Sequence, residues 1–160
     1  MKVFVVVGSI FPFDRLVKYM DGWIPDQEGV RVTGQIGQSS FKPVNMDYYA
    51  RMDVSDFNRT FDEADLIIGH AGMGTIIKSL VAGKPIIVMP RQLQLKEHNT
   101  NHQVATANAF KKLGYVHVAM TLEELDLLLR EPAKIESLHR IGEHASSQLI
   151  GAVREFITHC

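Results

Sequence analysis

Cysteine is almost absent from this chain: Cys160, the last residue, is the only one. A single thiol can close no intrachain disulfide and build no cysteine-rich metal centre, so a reducing, cytoplasmic setting is expected. A dominant charge is missing too. With 17 Lys and Arg against 18 Asp and Glu, the formal net charge is -1, which gives no electrostatic footprint for nucleic acid. No apolar run reaches bilayer-spanning length. The one at residues 3–7 follows Lys2 but stops at Gly8-Ser9, too soon for a secretory h-region. Any work at a membrane face is therefore expected to go through a partner. Repeats, linkers and low-complexity tracts are also lacking. The 160 residues, 46% of them hydrophobic, read as one domain spanning 1–160 with a full core.

What is present alternates strand and helix signals. Residues 3–7 and 66–69 are continuous, mostly β-branched apolar runs, as is 86–89 before Pro90; such runs mark strands covered on both faces. Residues 30–36 alternate apolar and polar like a strand nearer an edge, and 48–52 and 115–119 suggest two more short strands. Helices are expected over 14–20, from a Ser55 cap through Phe57, Phe61 and Ala64, over 75–81, and up to Leu113-Gly114. Gly83 closes the third of these, and Pro85 prevents its continuation. Thr121 and Glu124 have capping-box spacing. Apolar residues at threes and fours, namely Leu138, Ile141, Ala145, Leu149, Ala152, Val153 and Phe156, predict an amphipathic helix over about 135–158; a second copy of the chain could pack on it. The alternation implies an α/β, doubly wound, mostly parallel Rossmann-like sheet.

In such sheets ligands bind beyond the carboxyl ends of the strands. Two glycine turns lie at such ends: Gly8-Ser9, and His70-Ala71-Gly72-Met73-Gly74-Thr75. Gly72 and Gly74 let an anion approach the backbone, a helix start offers free N–H groups, and Thr75 adds a hydroxyl. The same spacing also suits a plain tight strand-to-helix turn. It is neither a Walker A loop nor a complete G-x-G-x-x-G, because no Gly-Lys-Ser/Thr follows and Ile77 stands at the third glycine position. A helix end contributes only about 0.3–2 kcal/mol per charge, so a diphosphate needs further donors. Ser9, Lys84 and above all Arg91 are candidates by position; Arg91 could equally be a solvated loop residue. The polar run Glu97-His98-Asn99-Thr100-Asn101-His102-Gln103 follows a strand end and carries the paired donors and acceptors that sugar hydroxyls require, although a solvated loop with helix-capping residues has the same composition. His98 and His102 share a helical spacing, but no third metal ligand accompanies them.

Taken in order, the turn His70 to Thr75, the segment Gly83-Lys84-Pro85-Ile86-Ile87-Val88-Met89-Pro90, and the pairs Glu97-His98 and His102-Gln103 resemble the C-terminal domain of family 28 glycosyltransferases. Val5-Val6-Val7-Gly8-Ser9 and Phe13-Asp14-Arg15-Leu16-Val17 agree with it. The likeness covers most of residues 1–120 and is strongest to stand-alone versions of the domain. The resemblance implies a GT-B donor domain for a UDP-sugar, with no cofactor. Gly8, Ser9, Gly72, Met73, Gly74, Thr75 and Arg91 would approach the diphosphate, and Glu97, His98, His102 and Gln103 the donor sugar. It implies inverting, metal-independent transfer, the leaving UDP being stabilised by positive dipoles. One departure stands out: where family members often carry a glutamate for the ribose hydroxyls, this chain has Lys78, which can only donate. The resemblance supplies one of the two GT-B domains, so a membrane-anchored partner half is expected to bring a lipid-linked acceptor. His70 is the single candidate for a catalytic helper, though not as the base, and a capping or structural role would suit its position equally. The alternative is a non-catalytic nucleotide-binding or assembly module that has lost donor chemistry; an epimerase relative would ordinarily hold both domains in one chain.

Overall fold

The computed structural model describes residues 1–142 and 147–158. Six strands form one sheet in the order β3-β2-β1-β4-β5-β6, and all five pairings are parallel. The strands are β1 (Lys2–Val6), β2 (Arg31–Gln35), β3 (Asp47–Tyr49), β4 (Leu66–Gly69), β5 (Ile86–Val88) and β6 (His117–Val118). The helices are α1 (Asp14–Trp23), α2 (Val54–Glu63), α3 (Met73–Ala82), α4 (His102–Leu113), α5 (Leu122–Leu129) and α6 (Ser147–Thr158). The chain starts in the centre at β1, moves outward to β2 and β3, then crosses back through α2 to β4 on the other side. That reversal makes β1 and β4 neighbours and opens a switch point between their carboxyl ends.

Alternation along β1 explains the two layers. Val3, Val5 and Val7 join Leu16, Val17 and Met20 of α1 and Leu125 and Leu129 of α5 on one face. Phe4 and Val6 join Phe61 of α2, Ile76 and Leu80 of α3 and Ala107 of α4 on the other. Each fully buried side chain of this size contributes roughly 1.5–3 kcal/mol. The expected buried strands are thus covered on both faces, while β3 is an exposed edge.

Several local expectations shift. Helix α2 is capped by Asp53, whose carboxylate accepts from Asp56 N at 2.8 Å; Ser55 lies inside the helix and donates to that same carboxylate. Helix α3 begins at Met73, two residues before Thr75, with Gly72 as its N-cap. The cap around Thr121 forms: its hydroxyl accepts from Glu124 N, and the Glu124 carboxylate accepts from Met120 N. No helix starts at Ile135. Residues 135–142 run as an extended strap instead, held by Ile141 N donating to Leu80 O, Arg140 Nε to Val81 O, and His139 stacked on Tyr115 at 3.9 Å. The packing expected of Ala145, Leu149, Val153 and Phe156 lies outside the described side chains. Among the described residues, no helix is long and apolar enough to cross a membrane.

Candidate functional site

The switch point is built from close backbone contacts that glycine permits. Gly8 ends β1 with φ +73°, and a Cβ there would stand 3.0 Å from Cε1 and Nε2 of His70. A Cβ on Gly72 would overlap His70 Nε2, and one on Gly37, where φ is +58°, would overlap the Gly8 carbonyl. The His70 ring therefore sits between two glycine backbones, with the β2 loop pressed on the far side of Gly8. Immediately beyond, α3 starts at Met73. The N–H groups of Met73, Gly74 and Thr75 have no protein acceptor among the described residues, as the first turn of a helix requires. No acidic side chain occupies that turn, so its positive dipole end is open toward the crevice.

Two histidines line this place in opposite protonation patterns. His70 Nδ1 lies 3.2 Å from Val6 O. A carbonyl accepts only, so Nδ1 carries the ring proton and Nε2 presents a lone pair. Burial, then the Arg91 charge, push the His70 pKa down to about 4, and the ring is neutral at physiological pH. His98 is the reverse: its Nδ1 accepts from Thr100 N at 3.1 Å, leaving the proton on Nε2, a donor. The His98 ring packs on Phe11 with centroids 4.7 Å apart, tying the loop after β5 to the loop after β1. Clefts of about 430 Å³ and 390 Å³ flank this contact. The first is lined by Ser9, Ile10, Gly37, Gln38, Ala50 and Arg51, the second by Pro12, Asp14, Arg15, Leu95, Lys96 and Glu97.

Not every expected ligand faces the crevice. Arg91 is 2% exposed, and its guanidinium donates to the carbonyls of Val7, Phe11 and Pro12. It holds the first loop in shape and lends the site a positive field, but has turned away from a diphosphate. Burial lowers its pKa to about 10, so it remains charged. Glu97 is not free for a sugar either. Its carboxylate takes Arg15 Nε at 2.7 Å and NH2 at 2.9 Å, and Gln92 N at 3.0 Å. Gln103, 7% exposed, accepts from Arg91 N at 3.0 Å. Lys84 precedes β5, so it lies at the amino-terminal end of the strands, away from the crevice, where it donates to Asp62 O and Ala64 O at the end of α2. Lys78 bonds Asn58 of α2 and lies 4.7 Å from the Phe61 ring centroid; it braces α3 on α2. His102 opens α4 with an exposed side chain. Gly8, Ser9, His70, Gly72 to Thr75 and His98 are the expected residues gathered around the crevice.

The structure adds residues that sequence reasoning did not single out. Phe11 is the partner of His98, and Gly37 admits the β2 loop. Asp14 opens α1 and accepts from Ser39 Oγ at 2.5 Å, Ser40 N at 3.0 Å and the Ser40 hydroxyl, latching the β2 loop to α1. Positive φ at Gly37 had a sequence signal, a glycine just after a strand. Among the described residues, no group of three His, Cys, Asp or Glu gathers as metal ligands.

Residues 2–143 match the family described as Glycosyltransferase family 28 C-terminal domain. The chain belongs to this family. Among curated relatives, the UDP-N-acetylglucosamine transferase subunit ALG13 of Candida albicans is 34% identical over 101 residues, 63% of this chain and 30% of that protein. The human protein of the same name is 30% identical over 128 residues, 71% of this chain but 10% of that protein. The UDP-N-acetylglucosamine--N-acetylmuramyl-(pentapeptide) pyrophosphoryl-undecaprenol N-acetylglucosamine transferase of Acidovorax sp. aligns with the whole chain at 22% identity, across 42% of its own length. The chain thus spans under half of each of these relatives. The solution structure of ALG13 superposes with a TM-score of 0.62 at 22% identity, covering 89% of this chain and 90% of that one. The MurG structure from Acinetobacter baumannii gives 0.54, covering 83% and 41%. Both likenesses concern the fold, a single GT-B-type C-terminal domain.

Proposed function

We propose that this chain is the UDP-sugar-binding subunit of a bipartite, inverting glycosyltransferase, and that it transfers sugar to a lipid-linked acceptor only with a partner half. The observation that carries the reading is the open start of α3 at the switch point. There the N–H groups of Met73, Gly74 and Thr75 lie beside Gly72 and the His70 ring that packs between Gly72 and Gly8. A diphosphate seated there gains charge-assisted bonds from a helix N-terminus. As the sugar–phosphate bond breaks, negative charge grows on the leaving diphosphate, and the same fixed dipoles stabilise it further. His98 Nε2–H is the side-chain donor available at the sugar end. The relatives' names make UDP-N-acetylglucosamine the first donor to test. A membrane-anchored half would supply the acceptor domain and hold this chain at the cytoplasmic membrane face.

The second reading, a nucleotide-binding or assembly module without donor chemistry, is favoured by specific contacts. Lys78 stands where a ribose-binding carboxylate is expected and is engaged by Asn58, while Glu97 and Gln103 are engaged by Arg15 and by the Arg91 backbone. Calorimetry with UDP and UDP-N-acetylglucosamine, on the chain alone and co-expressed with a membrane-anchored half, separates the two. Donor binding together with transfer to a polyprenyl-linked acceptor only in the pair supports the first reading. Donor binding without transfer in the pair favours the second. Absence of donor binding in both states, or robust transfer by the chain alone, overturns the first.

A further inference from the structure

We propose that His70 takes up one proton when the diphosphate of a nucleotide sugar binds, so that donor binding is coupled to protonation of the crevice wall. The inference rests on the donor-binding reading above, and it follows from counting protons on one ring. Val6 O already accepts from His70 N at 3.2 Å and from Nδ1 at 3.2 Å. Placing the ring proton on Nε2 instead would set two lone pairs against each other at Nδ1. The neutral ring therefore turns Nε2 outward as an acceptor, and Nε2 has no protein partner among the described residues. It stands against Gly8 and Gly72, beside the free N–H groups of α3.

A diphosphate accepts and does not donate. Seated on the start of α3 it would face a lone pair at His70, which repels it, unless Nε2 carries a hydrogen. Protonation converts that repulsion into a charge-assisted hydrogen bond while the Val6 O bond is kept. The surroundings hold the free ring neutral until an anion arrives. Burial and the Arg91 guanidinium both oppose a second positive charge, and His98 adds to that when charged. The loop after β1 meets the ring through the Gly8 backbone, α3 brings no charged side chain in its first turn, and Glu97 is paired with Arg15. Among the described residues no carboxylate thus faces His70 to favour its charged form, and the incoming anion supplies that role itself.

The test uses a UDP-sugar, whose diphosphate diester keeps a constant charge across this range. Free UDP does not, because its terminal phosphate titrates near pH ~6. Titration calorimetry in MES and in bis-Tris at about pH 6 is expected to give binding heats differing by the two buffers' ionisation heats, with about one proton taken up per site. Affinity is expected to fall about tenfold per unit as pH rises from about 5 to 7, the slope of a single linked proton. His70→Gln places an uncharged amide donor near Nε2; it is expected to bind with a flat pH profile and no buffer-dependent heat. An NMR titration of the wild-type His70 ring gives the same answer without a variant: neutral when free, protonated when the donor is bound. Binding by wild type with equal affinity across the range and equal heats in both buffers would overturn the proposal, as would a slope that survives in His70→Gln. If the UDP-sugar binds at no pH, the donor-binding reading itself fails.

Discussion

Glu97→Ala separates the role expected of this residue as a sugar ligand from the role its contacts assign. Arg15 and Glu97 form a two-pronged ion pair, Nε–Oε1 at 2.7 Å and NH2–Oε2 at 2.9 Å, with side chains only 18% and 10% exposed. Arg15 NH2 also reaches Pro90 O, and the carboxylate holds Gln92 N. Exposed pairs are worth about 0–1 kcal/mol, whereas removing one partner of a buried pair costs about 3–5 kcal/mol. A pair this nearly enclosed belongs toward the buried end, at about 3 kcal/mol once the orphaned Gln92 N–H is included. For a chain of this size about 1 kcal/mol moves Tm by about 2–4 °C, so thermal unfolding of Glu97→Ala is expected about 6–12 °C lower. Arg15→Met combined with Glu97→Gln leaves no uncompensated charge and is expected to regain at least half of that loss. A Tm unchanged to within about 1 °C, together with a tenfold or greater drop in UDP-sugar affinity, would refute the reasoning and return Glu97 to the sugar.

Three further outcomes follow from other contacts. His70 has its folded pKa lowered to about 4 from 6.5, so the unfolded chain binds the extra proton between those values. Stability is then full above about pH 6.5 and declines as pH falls toward 4, by at most about 3 kcal/mol; urea melts at about pH 7 and 4.5 should show this loss in wild type and less of it in His70→Gln, and equal acid sensitivity would count against it. Gly72→Ala drives a Cβ into His70 Nε2 and is expected to cost about 1–3 kcal/mol and more than tenfold in donor affinity; a variant with wild-type affinity would show that the ring position is immaterial. The Ser79 hydroxyl is buried without a hydrogen-bond partner among the described residues, so Ser79→Ala should be neutral or stabilising by about 1–2 kcal/mol; a measured loss above about 1 kcal/mol would reveal a partner.

Strands and helix ends were legible wherever a local signal was sufficient. Gly83 adopts φ +67° and ends α3, because a residue without Cβ is what the left-handed cap needs. Asp53 took the α2 cap from Ser55 because the carboxylate two residues earlier reaches Asp56 N; two capping residues so close cannot be ranked from spacing alone. The periodicity from Leu138 onward gave way at 135–142, where Arg140, Ile141 and His139 each found a partner on α3 or beside β6. Tertiary contacts there outweighed a helical preference worth a few tenths of a kcal/mol per residue.

The parallel sheet, the glycine turn after β4 and the family are all readable from residue order alone. Each is written in a run of neighbouring residues: β-branched strands, Gly72 before a helix, motifs in order. Which polar side chains face the crevice depends instead on long-range packing. Arg91, Glu97 and Gln103 lie beside it in sequence, yet each is drawn inward by a partner distant in the chain: the carbonyls of Val7, Phe11 and Pro12, the guanidinium of Arg15, and the Arg91 N–H twelve residues before Gln103. Buried backbone carbonyls and charges must be satisfied, and which side chain satisfies them depends on what the fold brings within about 3 Å, not on composition or spacing.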